Sequence, residues 1–138
     1  MPHLDSILET ALYVDDMERA CRFYEDTMAL KPLLNKDRLS AYDVNGASVL
    51  ILFLRGGTTQ GVRADNGYIP PHDGRGELHM AFTCDHATLR EWETHFEKEG
   101  IEIEGRTQWS AGGESIYFRD PDRNLLEIAA KPGLWKGY

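Results

Sequence analysis

The sequence predicts an α+β fold made of two βαβββ modules in tandem, and three observations carry that prediction. The segment Glu9-Thr10-Ala11-Leu12-Tyr13-Val14-Asp15 is echoed about 70 residues later by His79-Met80-Ala81-Phe82-Thr83-Cys84-Asp85. In each copy a strand-like run ends on an aspartate and passes directly into helical spacing. After each helical stretch come three short runs of β-favouring residues separated by turn signals.

The elements follow in order. Leu8 to Val14 alternates as a strand, and Asp15 with Glu18 three residues on predicts a capping box for a helix in which Met17, Ala20, Cys21, Tyr24 and Met28 recur at helical spacing. Strands are then expected at Leu30 to Leu34, Leu39 to Val44 and Ala47 to Arg55, with Asn45-Gly46 turning the last pair. In the second copy Asp85 caps a helix whose inner face is Leu89, Trp92 and Phe96 and which stops at Gly100. Strands at Ile101 to Arg106, Ser115 to Arg119 and Leu125 to Ala130 complete it, with Asp120-Pro121-Asp122-Arg123-Asn124 as the last turn. One domain over residues 1–138 is expected: module one at 5–58, a linker loop at 59–74, module two at 75–131 and a tail at 132–138. The linker carries glycines and Pro70-Pro71, the composition of a functional lid or a connector.

The composition narrows the class of function. With 15 basic and 23 acidic residues the net charge is −8, which repels phosphate backbones and anionic headgroups, and no basic stripe offsets it. Nucleic acid and membrane surfaces are therefore not expected as partners. No window approaches the ~18 consecutive apolar residues of a membrane span, so a cytoplasmic location is expected. Cys21 and Cys84 are too few for a disulfide framework and read as reduced residues among apolar neighbours.

Splitting the strands by alternation exposes an anomaly. Leu12 and Val14, Met80 and Phe82, and Leu126 and Ile128 form apolar faces suited to lie beneath the helices. The opposite faces carry Glu9, His79 and Glu127 beside small residues, and Glu9 and His79 hold equivalent places in the two copies. Taken singly, His79 reads as a structural histidine and the glutamates as solvent-facing residues of a half-exposed sheet. Taken together they form a donor set of two carboxylates and one imidazole, which a divalent cation would stabilise and which suits Mn, Fe, Co, Ni or Zn. Three protein ligands leave positions open for substrate, as at a catalytic centre.

These segments resemble the vicinal oxygen chelate superfamily, which includes glyoxalase I, bleomycin- and fosfomycin-resistance proteins and extradiol dioxygenases. The resemblance is carried by Glu9 to Met17 with Phe23-Tyr24, by Gly76 to Phe82 and by Ser115 to Glu127. It implies that the paired modules form a half-open, eight-stranded barrel-like sheet with helices outside, around one metal held by Glu9, His79 and Glu127. It also implies a homodimer, with modules paired within one chain or exchanged between two. The sequence departs from the named enzymes: Glu9 stands where dioxygenases carry His, Gln108-Trp109 stands where they carry an acid/base His, and Ser48 to Leu54 lacks the further glyoxalase I ligand.

Two functions follow as expectations. The first is a glyoxalase- or dioxygenase-like metalloenzyme of lyase, isomerase or dioxygenase type, whose ion acts as a Lewis acid on a small oxygen-chelating substrate. Tyr117 then serves as the catalytic hydrogen-bond donor, with Tyr13, Arg38, Arg55, Trp109 and Arg119 contacting the substrate. A packed Tyr117 with a satisfied hydroxyl is the plain alternative. The second is a metal-free protein of the bleomycin-resistance type that sequesters a small molecule in a cleft lined by Tyr13, Tyr42, Trp109 and Tyr117. His72 lies in the long loop, where it could contact a substrate, and a solvated loop residue is the preferred reading.

Overall fold

A computed structural model of the chain describes residues 1–138. It divides into two units, Met1–Gly76 and Glu77–Tyr138, each with its own four-stranded sheet and buried interior. Both units show the βαβββ pattern.

In the first unit, β1 (Glu9–Val14) is followed by the short helix α1 (Met17–Arg22) and by strands β2 (Lys31–Lys36), β3 (Leu39–Val44) and β4 (Ser48–Leu54), in the sheet order β1-β4-β3-β2. β1 runs parallel to β4, with Glu9 beside Val49 and Tyr13 beside Phe53. The expected capping residue is displaced by one position: Asp16, not Asp15, accepts from the Arg19 backbone N–H at 3.0 Å. Asp15 is drawn instead to Arg55 at 2.5 Å. The helix expected through Met28 is α-helical only to Arg22, and a π-helical turn over Phe23–Thr27 completes it while burying both Phe23 and Tyr24.

The Asn45-Gly46 turn has φ of 52° and 67° at its two central residues, the left-handed pair that matches strand twist in a tight hairpin. β2 is exposed along its whole length, and its register against β3 shifts between Pro32 and Leu34, as expected where proline removes a ladder donor at a sheet edge. Part of the expected linker loop forms a small hairpin, β5 (Val62–Ala64) with β6 (Gly67–Ile69).

In the second unit, β7 (His79–Cys84), helix α2 (His86–Glu99), β8 (Gly105–Gln108), β9 (Glu114–Arg119) and β10 (Leu125–Ala130) give the sheet order β7-β10-β9-β8. Asp85 caps α2 by accepting from Thr88 N–H at 2.7 Å, and Gly100 ends it at φ 71°, both as expected. β8 begins four residues later than expected because its register is set by β9, where Gly105 meets Tyr117 and Gln108 meets Glu114. Leu89 and Phe96 from α2 are buried with Phe118, Leu126 and Ile128 of the sheet, the Phe96 and Phe118 rings 4.5 Å apart. Each such side chain contributes roughly 1.5–3 kcal/mol on burial.

A polar knot closes this unit. Asp120 accepts from Asn124 through the main-chain N–H at 2.9 Å and the side-chain amide at 2.9 Å, and Asn124 Oδ1 accepts from Leu78 N–H at 3.0 Å. The β9–β10 turn is thereby tied to the residue just before His79. No helix is long and apolar enough to cross a membrane.

Candidate functional site

The face of the second sheet that turns away from α2 carries the expected residues in register. Parallel pairing sets His79 beside Leu125 and Ala81 beside Glu127, and antiparallel pairing sets Glu127 beside Tyr117. His79 and Glu127 meet there, with Nε2 and Oε2 3.3 Å apart. The Glu127 side chain is 6% exposed and that of His79 is 51% exposed, so the carboxylate is sunk in the sheet and the imidazole opens outward.

Hydrogen bonds fix the polarity of both groups. His79 Nδ1 lies 2.8 Å from the Leu125 carbonyl oxygen, which can only accept, so Nδ1 carries the proton. In the neutral ring Nε2 is then a lone pair aimed at a carboxylate oxygen. Two acceptors facing across 3.3 Å need a positive charge between them, a proton or a metal ion. The other Glu127 oxygen accepts from the Ser115 hydroxyl at 2.5 Å, and Ser115 Oγ accepts from Trp109 Nε1–H at 2.9 Å. Indole, hydroxyl and carboxylate thus form one directed chain ending at the face His79 shares. The donor set fits a divalent cation, with imidazole nitrogen and carboxylate oxygen both presented as lone pairs.

The remaining candidates are placed as follows. Glu9 is the first residue of β1 in the other unit and is exposed, and neither unit by itself gathers three His, Cys, Asp or Glu donors around one point. Tyr117 is half-buried and pairs in register with Gly105. Trp109 points its N–H into the hydrogen-bond chain. Arg119 is held by Glu104 through two bonds of 2.9 and 3.0 Å, with Glu77 nearby at 3.5 Å. That pairing holds the Glu104 carboxyl below its ordinary range and raises the Arg119 guanidinium. Arg55 bonds Asp15, the Gly74 carbonyl and the Tyr13 carbonyl, and Arg38 donates to the Gly57 carbonyl.

Tyr42, expected in a cleft wall, is fully buried on the opposite side of its sheet beneath α1 and the π turn, its hydroxyl donating to Glu25 at 2.9 Å. Burial and that hydrogen bond push its phenol far above the usual tyrosine range. One participant was not singled out as a site residue by sequence reasoning, and another was expected elsewhere. Ser115 had only its shared face with Tyr117 as a signal. His72, expected as a solvated loop residue, is instead half-buried, with Nδ1 2.7 Å from the Tyr13 hydroxyl, because its loop folds back onto the sheet.

The sequence profile described as Glyoxalase/Bleomycin resistance protein/Dioxygenase superfamily matches residues 6–128. The chain belongs to that superfamily. Among superfamily relatives, the metallothiol transferase FosB of Staphylococcus saprophyticus is 30% identical over 127 residues, 91% of this chain and 76% of that protein. FosB of Shouchella clausii is 31% identical over 122 residues, 83% of this chain and 73% of that protein. A crystal structure of lactoylglutathione lyase from Agrobacterium tumefaciens superposes with a TM-score of 0.83 at 35% identity, covering 92% of this chain and 94% of that one. The α+β fold of paired βαβββ modules is thus the fold of the glyoxalase superfamily, as the repeat in the sequence predicts.

Proposed function

We propose that this chain is a divalent-metal-dependent enzyme acting on a small oxygen-chelating molecule, with His79, Glu127 and Glu9 as ligands. The supporting observation is the 3.3 Å approach of His79 Nε2 to Glu127 Oε2 on one open sheet face, with His79 Nδ1 turned to the Leu125 carbonyl. Glu9 joins the proposal by register: it opens β1 against β4 as His79 opens β7 against β10. The names of the relatives, a metallothiol transferase and a lactoylglutathione lyase, direct the reading to group transfer or elimination on thiol-linked small molecules.

A divalent ion bound there supplies Lewis acidity toward a substrate oxygen. The chain's own residues do the rest. The Leu125 carbonyl keeps the His79 tautomer that leaves Nε2 unprotonated, and Ser115 keeps the Glu127 carboxylate from rotating. The Tyr117 phenol, beside Glu127 in the register, donates a hydrogen bond to the substrate. The sheet beneath excludes water from the Glu127 side.

Elemental analysis of the untagged protein tests the reading. The expected result is about one divalent ion per chain, the stoichiometry of a single three-ligand centre. It should fall to background in His79→Ala and Glu127→Gln and drop in Glu9→Gln, with circular dichroism unchanged. Background metal in the parent protein, with small-molecule binding retained, overturns it in favour of a metal-free binder.

A further inference from the structure

A second polar station stands on the open sheet face of the Met1–Gly76 unit, and no metal reading accounts for it. Tyr13 and His72 are joined hydroxyl to Nδ1 at 2.7 Å. Both rings rest on Phe53, the His72 ring at 4.6 Å edge-on and the Tyr13 ring stacked at 5.8 Å. The loop that brings His72 here is pinned on both sides. The His72 N–H donates to the Thr58 carbonyl at 3.0 Å, and the Thr58 hydroxyl donates back to the His72 carbonyl. Arg55 binds the Gly74 and Tyr13 carbonyls at 3.0 and 3.3 Å, and Asp73 accepts from Gly56 N–H at 3.0 Å. A methyl group at Gly74 would overlap the Tyr13 ring, so the close approach depends on glycine.

The proton arrangement then follows. Burial, with the Asp73 charge second, raises the Tyr13 phenol, so it remains an O–H donor at neutral pH. With the hydroxyl donating to Nδ1, the proton of the ring belongs on Nε2, which makes no hydrogen bond or ion pair to another protein group in the structure. An imidazole N–H beside the Phe53 ring, on the sheet face that Ala11 and Ile51 share with Tyr13 and Phe53 by register, is a donor available to a ligand's acceptor. Tyr13 lies four positions along β1 from Glu9, a span of roughly 13 Å, so the station is distinct from the strand end where Glu9 lies.

We propose that the Tyr13–His72 pair is a ligand-anchoring site that donates the imidazole N–H to a carboxylate or carbonyl oxygen of a small molecule whose apolar body lies on Phe53 and Ile51. The site stands on the first unit alone and needs no metal, so it can fail or hold independently of the proposed metal centre. Its ligand class is a small amphipathic molecule with an apolar body and an oxygen-acceptor end.

Nitrogen-15 correlation spectra of the histidine rings in the full-length protein, titrated with phenylacetate and with phenylacetamide, test this. His72→Gln assigns the His72 signals. The expected result is an Nε2–H tautomer for His72 in the parent and a saturable shift of its Nε2 resonance with at least one probe. Preference for phenylacetate identifies a carboxylate head group, and preference for the amide a neutral carbonyl. Tyr13→Phe, which keeps the ring stack and removes the donor to Nδ1, should weaken the preferred probe about fivefold, the effect of one hydrogen bond, and His72→Gln at least as much. An Nδ1–H tautomer in the parent, no saturable shift with either probe, or unchanged affinity in both folded variants overturns the proposal.

Discussion

The Ser115 hydroxyl donates to Glu127 Oε1 over 2.5 Å, in a sheet interior where Ser115 is 2% and Glu127 5% exposed. A carboxylate buried to that depth depends on every partner it has. Ser115→Ala leaves both Glu127 Oε1 and Trp109 Nε1 without their partner. The expected cost is about 1–3 kcal/mol in urea denaturation. If the metal reading holds, divalent-ion affinity measured by calorimetry should also fall roughly 10–100-fold, with recovery in Ser115→Thr.

Phe96 is fully buried and its ring lies 4.5 Å from that of Phe118, so it joins α2 to its sheet. Phe96→Ala should destabilise the protein by about 3–5 kcal/mol, the usual loss for deleting a buried aromatic ring. Equal stability of the variant in chemical denaturation would contradict the packing described.

Gly74→Ala places a methyl group where the Tyr13 ring lies. Overpacking of this kind costs about 1–3 kcal/mol, and here it should also separate Tyr13 from His72. Thermal unfolding reads the first effect. The second appears as loss of the Nε2–H tautomer in histidine nitrogen spectra.

Stability should decline on the acid side. The Asp85 carboxyl is lowered first by the Thr88 backbone N–H, Glu104 by its hydrogen bonds from Arg119 and Glu114 by that from His86. A carboxyl lowered on folding contributes stability that is present above its unfolded pKa and is lost as pH falls through the folded one. The melting temperature should therefore be flat toward neutral pH and drop below about pH 4. Glu104→Gln should melt lower than the parent at neutral pH, with the gap narrowing as the solution is acidified.

Much of this was legible in the sequence, for local reasons. Asp85 and Gly100 bracket α2 because a cap and a left-handed stop act within one turn of chain. Asn45-Gly46 sets its hairpin for the same reason. The sharing of one face by His79 and Glu127 follows from alternation once β7 and β10 lie side by side. What escaped was decided at long range. The cap falls on Asp16 and not on the expected Asp15, which is paired with Arg55, distant in the chain. Nothing local directs the linker to fold back and set His72 on Tyr13, since that placement depends on Thr58, Arg55 and a missing side chain at Gly74. Tyr42 escaped because β3 carries a polar residue on each face, Ser40 beside Tyr42 and Asp43 opposite, and only the docking of α1 decides which face is interior.

The imidazole of His79 takes its bearing from the carbonyl of Leu125, an atom every amino acid supplies. Replacing the side chain at that position does not remove the acceptor. Mutational drift there can reshape the surroundings of the ring while its orientation is inherited unchanged.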